Sequence, residues 1–400
     1  MDEKSLKFSF ADVKLIAICL LINAASILAV LLYTAALPQM AIDLNILPGK
    51  TQATLSVYYI GFGLALIFYG HLSDRFGRKP IILFALGILI IGSFLSLYAK
   101  SLTILYISKI IKGFGGAGAA YINLAIIRDH FKENKYKFAI SIFTIGVSLL
   151  LTIPPILGGY IQQFFHWRFS FLLIFYYSVL AFFIALFFLP ETNLNRIKKE
   201  HLLPKYREII KSRKFWTYTI ILFLTYSCFV FYLSITPFIF QKHLSMSFSK
   251  FNTVIILPNA CFVIGSILNL KEQLKHRVNT LILFGLILGL IGGFSFFVFD
   301  SFFTLNIITA IIPLCILLFG QGFIYANAMA GALSVFPLIA GAAASFLGFV
   351  QVEGTGLLNG VTNLFNITTA KSMGLNIFIF YLIMILIFLF LMPRKKASVE

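Results

Sequence analysis

The chain has 400 residues, of which 60% are hydrophobic and only 12% charged, with a formal net charge of +18. A soluble domain carries about a quarter of its residues charged, so this composition excludes a soluble fold and requires lipid around the apolar surface. The positive charge falls in short segments between apolar runs, a pattern of membrane topology rather than of a phosphate-binding face, which excludes nucleic acid as the partner.

A membrane-spanning helix takes about 20 largely apolar residues. Twelve such runs follow one another, over 13–38, 51–71, 80–98, 102–127, 137–162, 167–189, 215–239, 250–270, 278–299, 302–328, 334–362 and 372–392. They predict an all-α polytopic membrane protein of twelve transmembrane helices. The first run exceeds the core of a signal peptide and is read as span 1. Cys19, Cys228, Cys261 and Cys315 all lie within apolar runs and read as small buried hydrophobes, and the scattered histidines predict no metal site.

Lysine and arginine set the orientation. With the N-terminus inside, the cytoplasmic segments hold 24 of the 32 cations and the outer segments six, while Lys109 and Lys112 lie within span 4. That asymmetry predicts both termini on the cytoplasmic side. The longest hydrophilic stretch, 190–214, reads as a solvated basic cytoplasmic linker between a six-helix half at 1–189 and another at 215–400. Six plus six is a layout of transporters whose halves rock around a central site.

The loop after span 2 reads Gly70-His71-Leu72-Ser73-Asp74-Arg75-Phe76-Gly77-Arg78-Lys79-Pro80. Gly70 is expected to let helices approach, Gly77 to take a positive φ, and Pro80 to sit in the first turn of span 3. Asp74 is suited to pair with an arginine or to cap a helix N-terminus. Arg75, Arg78 and Lys79 are expected to anchor the turn on an anionic leaflet. Here the sequence resembles the major facilitator superfamily, whose signature loop between spans 2 and 3 has this full pattern. The resemblance implies that the loop belongs to a cytoplasmic gate, with Asp74 holding the inward-closed arrangement.

Span 5 carries Gly146 and then Pro154-Pro155-Ile156-Leu157-Gly158-Gly159. Prolines inside a membrane helix bend it, and paired glycines give a flat packing surface. The stretch is similar to the motif of the superfamily's antiporters, with Pro154 where glycine is usual, and so favours export; a kinked packing helix without directional meaning is the other reading. Tyr33 to Pro38, Arg128-Asp129-His130-Phe131, Trp167-Arg168 and Gly341 to Gln351 together resemble the bicyclomycin and chloramphenicol resistance (Bcr/CflA-type) drug:proton antiporters. That likeness implies efflux of small amphipathic antibiotics in exchange for protons, across a bacterial inner membrane.

Charges inside spans are costly and therefore candidates for function. Glu353 in span 11 is the one carboxylate well inside an apolar run, and Lys109 and Lys112 in span 4 are the comparable cations. The subfamily's span-1 aspartate falls at Leu31, its span-4 arginine at Lys109 and the glutamine three residues later at Lys112. At about 1.5 Å per helical residue, Lys109 lies about 9 Å and Glu353 about 10–14 Å from the outer face. Matching depth makes Glu353 the expected protonatable group, with Lys109 or Lys112 pairing with it or binding an anionic substrate group. Alternatively, Lys109 snorkels to the interface while Glu353 makes a structural bond. Gly113, Gly115, Gly116 and Gly118 are expected to serve helix packing.

Proton-coupled efflux of drug-like compounds is the first expectation, with transport of an anionic solute such as a carboxylate metabolite or siderophore as the alternative. A non-transporting receptor is the minor one. No nucleophile–base pair, metal cluster or phosphate-binding Gly-Lys loop points to an enzyme. No cofactor is expected, a proton gradient is the expected energy source, and the expected partners are a small molecule and the bilayer, with the chain acting as a monomer.

Overall fold

A computed structural model describes residues 8–131, 133–193, 202–272, 278–336 and 339–391. In lipid every backbone N–H and C=O must find a partner within the chain, and a helix satisfies both without a neighbour. The described residues accordingly form helices, in chain order α1 (Phe10–Leu31), α2 (Leu37–Asp43), α3 (Pro48–Phe76), α4 (Arg78–Leu97), α5 (Leu102–His130), α6 (Glu133–Phe164), α7 (Arg168–Phe188), α8 (Leu202–Lys211), α9 (Arg213–Pro237), α10 (Phe248–Glu272), α11 (Val278–Phe302), α12 (Ile307–Leu333), α13 (Ala340–Asn363) and α14 (Ala370–Leu391).

Twelve of these are spans. Nine segments are long and apolar enough by themselves, α1 with α2 counting as one of them, and α3 is a tenth when its two arms, bent by 43° between Leu66 and Phe68, are taken together. The 32-residue α6 and the 24-residue α13 complete the set. Bulky apolar side chains such as Phe94, Phe183, Phe187 and Phe390 point outward, which suits a surface solvated by acyl chains.

Local chemistry places the ends and breaks. Ser9 caps α1 through a capping box with Asp12, and Asn306 caps α12 with Thr309 in the same way. Span 1 is interrupted after Leu31: a 3-10 turn at Thr34–Ala36 leads into α2, whose second residue is Pro38. Proline has no N–H to donate, so the first turn of a new helix is where it fits. In span 7 the helix passes from Pro237 into a π turn at Phe238–His243. By contrast α6 continues as one helix through Pro154 and Pro155.

The chain divides into two compact units, Met1–Glu200 and His201–Glu400. In the first, α5 packs on α3, α4 and α1, and α4 packs on α7. In the second, α12 packs on α10, α11 and α9, and α11 packs on α14. Counted within each set of six spans, the same pairings recur: fourth on second, third and first, and third on sixth. The repeat is one of packing, as in transporters built from duplicated bundles.

Glycines make the close contacts of α5 possible. A Cβ at Gly113 would collide with the carbonyl of Tyr58 in α3, one at Gly115 with the Leu89 backbone in α4, and one at Gly118 with Ala85. The expected linker is structured at both ends. Residues up to Asn193 fold back onto the first unit, α8 packs on α13 with Ile209 buried, and Arg196, Lys198 and Lys199 lie outside the described residues.

Candidate functional site

The first unit holds two lysines where lipid-embedded helices seldom tolerate one. Lys109 and Lys112, three apart on α5, share a helix face and are both fully buried. Among the described residues neither Nζ has a hydrogen-bond acceptor, and no ion pair includes either. The snorkelling expected as one alternative for Lys109 does not occur, because its side chain turns into the bundle.

Aromatic rings take the place of a counter-ion. Lys109 Nζ lies 3.2 Å from the centroid of the Tyr33 ring and 4.5 Å from that of Phe171. Lys112 Nζ lies 6.0 and 4.6 Å from the same two rings. Tyr33 comes from the broken stretch of span 1 and Phe171 from α7, and their centroids are 5.4 Å apart. The Tyr33 hydroxyl is fixed on Thr54 Oγ1 at 3.1 Å, and Trp167 stands edge-on to Phe171 at 5.6 Å. Gly92 of α4 leaves room for the Lys112 stem, because a Cβ there would come within 2.6 Å of Lys112 Cγ. A ring face offers a cation about 0.5–2 kcal/mol. Withdrawing an ammonium from water costs several, so the rings alone leave the pair under-compensated.

Where the resemblance places an acid in span 1, this chain has Leu31. Leu31 is buried at the last turn of α1, two residues before Tyr33, and supplies only its carbonyl, which accepts from Thr34 Oγ1 at 2.8 Å. Glu353 lies in the second unit, half-buried on α13, with Oε2 buried and without a hydrogen-bond partner among the described residues. Around it α13 is tied to α9 by Ser227–Thr355 at 3.0 Å and by Asn359 Nδ2 donating to the Ser227 carbonyl at 3.3 Å. The structure thus brings Lys109 and Lys112 together, and leaves Glu353 in the other unit.

The turn between α3 and α4 is a second polar centre. Arg78 is buried rather than lipid-anchored as expected. Its guanidinium donates to Asp74 Oδ1 at 2.7 Å, Ser73 Oγ at 2.7 Å and Asp129 Oδ2 at 2.9 Å. Gly77 takes φ +106°, as expected, and lets the chain reverse. Gly70 is exposed, and a Cβ there would meet nothing, so it is not the helix-contact glycine that its place in the motif suggested. Arg75 faces outward with its guanidinium over the Phe76 ring, and Lys79 contributes its backbone N–H.

Three partners of this turn were invisible in the motif. Glu191, just past α7, accepts from the backbone N–H of Arg78 at 2.9 Å and of Lys79 at 3.1 Å, so a carboxylate caps the N-terminus of α4. Asn193 Nδ2 donates to the carbonyls of Asp74 at 2.9 Å and Ser73 at 3.3 Å, closing the C-terminus of α3. Asp129 at the end of α5 completes the Arg78 fork. The signal was available in Pro190-Glu191-Thr192-Asn193, an acid and an amide standing at a helix end.

In span 5 the glycines are contact residues. A Cβ at Gly158 would run into the Leu32 carbonyl, and one at Gly146 would lie 2.6 Å from a Leu20 methyl, so α6 lies directly on span 1. Pro154, Pro155, Gly158 and Gly159 are all buried in that seam.

Residues 18–357 match the family described as Major Facilitator Superfamily. The chain belongs to the Major Facilitator Superfamily. It is therefore a multi-pass membrane transporter that binds a small-molecule substrate, and not an enzyme. Multidrug resistance protein D of Escherichia coli is 25% identical over 364 residues, 91% of this chain and 92% of that protein. A bicyclomycin resistance protein homolog of Haemophilus influenzae is 25% identical over 353 residues, 86% and 87% of the two chains. Among solved structures, the partially occluded inward-open xylose transporter XylE from E. coli superposes with a TM-score of 0.76 at 12% identity, covering 98% of this chain and all of that one. The nucleoside transporter NupG gives 0.72 at 13% identity over 94% of this chain. These two likenesses concern the fold.

Proposed function

We propose that this superfamily member exports small amphipathic, drug-like compounds in exchange for protons, by alternating access of its two halves. The observation that carries this reading is the match to Multidrug resistance protein D along nine-tenths of both chains. The contact of α6 with span 1, where Pro154, Pro155, Gly158 and Gly159 are buried, supports it, because this is the stretch that resembles the antiporter motif. Energy comes from a proton gradient without a cofactor, and the protein works as a monomer in a bacterial inner membrane with both termini inside. The Asp74–Arg78–Asp129 cluster secures the cytoplasmic gate. Glu353, a half-buried carboxyl with an orphaned oxygen, is the protonatable group.

Expression in a drug-sensitive bacterial host tests this reading. The protein should raise the tolerated concentration of bicyclomycin or chloramphenicol and lower their accumulation, and a protonophore should restore accumulation. Unchanged tolerance and accumulation across a panel of neutral and cationic amphipathic drugs would contradict it.

A further inference from the structure

Multidrug recognition by apolar walls needs no lysine, yet the first unit buries two. Lys109 and Lys112, three apart on one face of α5, present their Nζ atoms to the same pair of rings. Both are fully buried and lack an acceptor. Every other described lysine is at least partly exposed where its burial is given. Nothing in the packing requires the cations: the α4–α5 seam beside them is already closed by Ser96 and Ser108, whose hydroxyls bond at 2.7 Å, and by the glycine contacts. Apolar side chains of similar length would fill the space at lower cost.

Two such groups converging on Tyr33 and Phe171 match a ligand with an anionic head and a flat apolar body. A carboxylate has two oxygens and can accept from both ammonium groups at once, which relieves their mutual repulsion and supplies the missing counter-charge. An aromatic ring behind that carboxylate can pack against the Tyr33 and Phe171 faces once the ammonium groups turn from the rings toward the head. We propose that Lys109, Lys112, Tyr33 and Phe171 form a binding subsite for an aryl carboxylate, so that the transported compounds include amphipathic organic acids. This rests on the reading of the chain as a transporter of small amphipathic compounds, and narrows its substrate class.

Titration of the purified full-length protein with 1-naphthoate and with its uncharged counterpart 1-naphthamide, followed by calorimetry, tests the subsite. Naphthoate should bind at least tenfold more tightly than naphthamide. Lys112→Gln should weaken naphthoate at least tenfold and leave naphthamide unchanged, while Lys109→Arg should retain binding. The wild-type comparison needs no variant, so it stands even where Lys112→Gln does not fold. Naphthamide binding as tightly as naphthoate, a folded Lys112→Gln protein binding naphthoate undiminished, or no naphthoate binding to the wild-type protein would overturn the proposal. Binding without proton-linked flux would leave the subsite in place and remove the export reading instead.

Discussion

The backbone N–H of Arg78 donates to Glu191 Oε1 at 2.9 Å, joining the start of α4 to the segment after α7 across 113 residues of sequence. The same carboxylate lies where a Cβ on Gly77 would point, 2.5 Å from Oε2. Gly77→Ala therefore meets two penalties, a positive φ and a displaced cap, and should destabilise the protein by about 2 kcal/mol. Glu191→Ala removes the cap and the bond from the Asn193 N–H while leaving the φ of Gly77 as it is, and should cost about 1 kcal/mol. Thermal unfolding in detergent reads both, and hydrogen exchange at Arg78 and Lys79 should rise in each variant.

Arg78 holds three acceptors with one guanidinium. Arg78→Ala strands Asp74, Asp129 and Ser73 together and should cost about 3 kcal/mol. Arg78→Lys should recover less than half of that, because one ammonium cannot reproduce the planar fork. Equal unfolding temperatures for the lysine variant and the wild-type protein would show that charge alone matters at this turn.

Gly158 and Gly70 make opposite forecasts from the same residue type. Gly158→Val puts a side chain into the Leu32 carbonyl and should lose transport and folded yield together. Gly70→Ala enters open space on α3 and should leave transport unchanged while adding up to about 1 kcal/mol of stability. Transport assays on the two purified variants separate these outcomes.

Asp43 gathers three donors at the end of α2: Trp167 Nε1 at 2.7 Å, His166 Nε2 at 2.8 Å and Gln39 Nε2 at 2.7 Å. Trp167 is fully buried, so Asp43→Ala leaves its indole N–H without an acceptor and should cost about 2 kcal/mol. Asp43→Asn keeps one acceptor oxygen and should cost less. The two unfolding temperatures decide it.

Much of this was legible in sequence because lipid imposes a simple rule. Runs of about 20 apolar residues located the spans, and Gly77 announced its positive φ. What the sequence hid were partners distant along the chain. Asp74 suggested an arginine, but not that Arg78 would be buried between Asp74 and Asp129, because Asp129 lies 51 residues further along the chain. Lys109 suggested a pair with Glu353, an anionic substrate group or a snorkel; its ring partners, Tyr33 and Phe171, carry no sequence mark that separates them from the chain's other aromatics. Gly70 misled in the other direction, since a glycine in a motif signals permissiveness of the backbone and only the neighbours show whether contact uses it.

Proton exchange through Glu353 is the claim on which the mechanism turns. Its most direct test is the purified protein in liposomes with a pH-sensitive dye in the lumen, to which chloramphenicol or bicyclomycin is added outside. Entry of drug in exchange for protons should make the lumen more alkaline in the wild-type protein. Glu353→Gln should still exchange labelled for unlabelled drug without moving the dye signal. Drug entry with no alkalinisation in the wild-type protein, or undiminished alkalinisation with Glu353→Gln, would contradict the account.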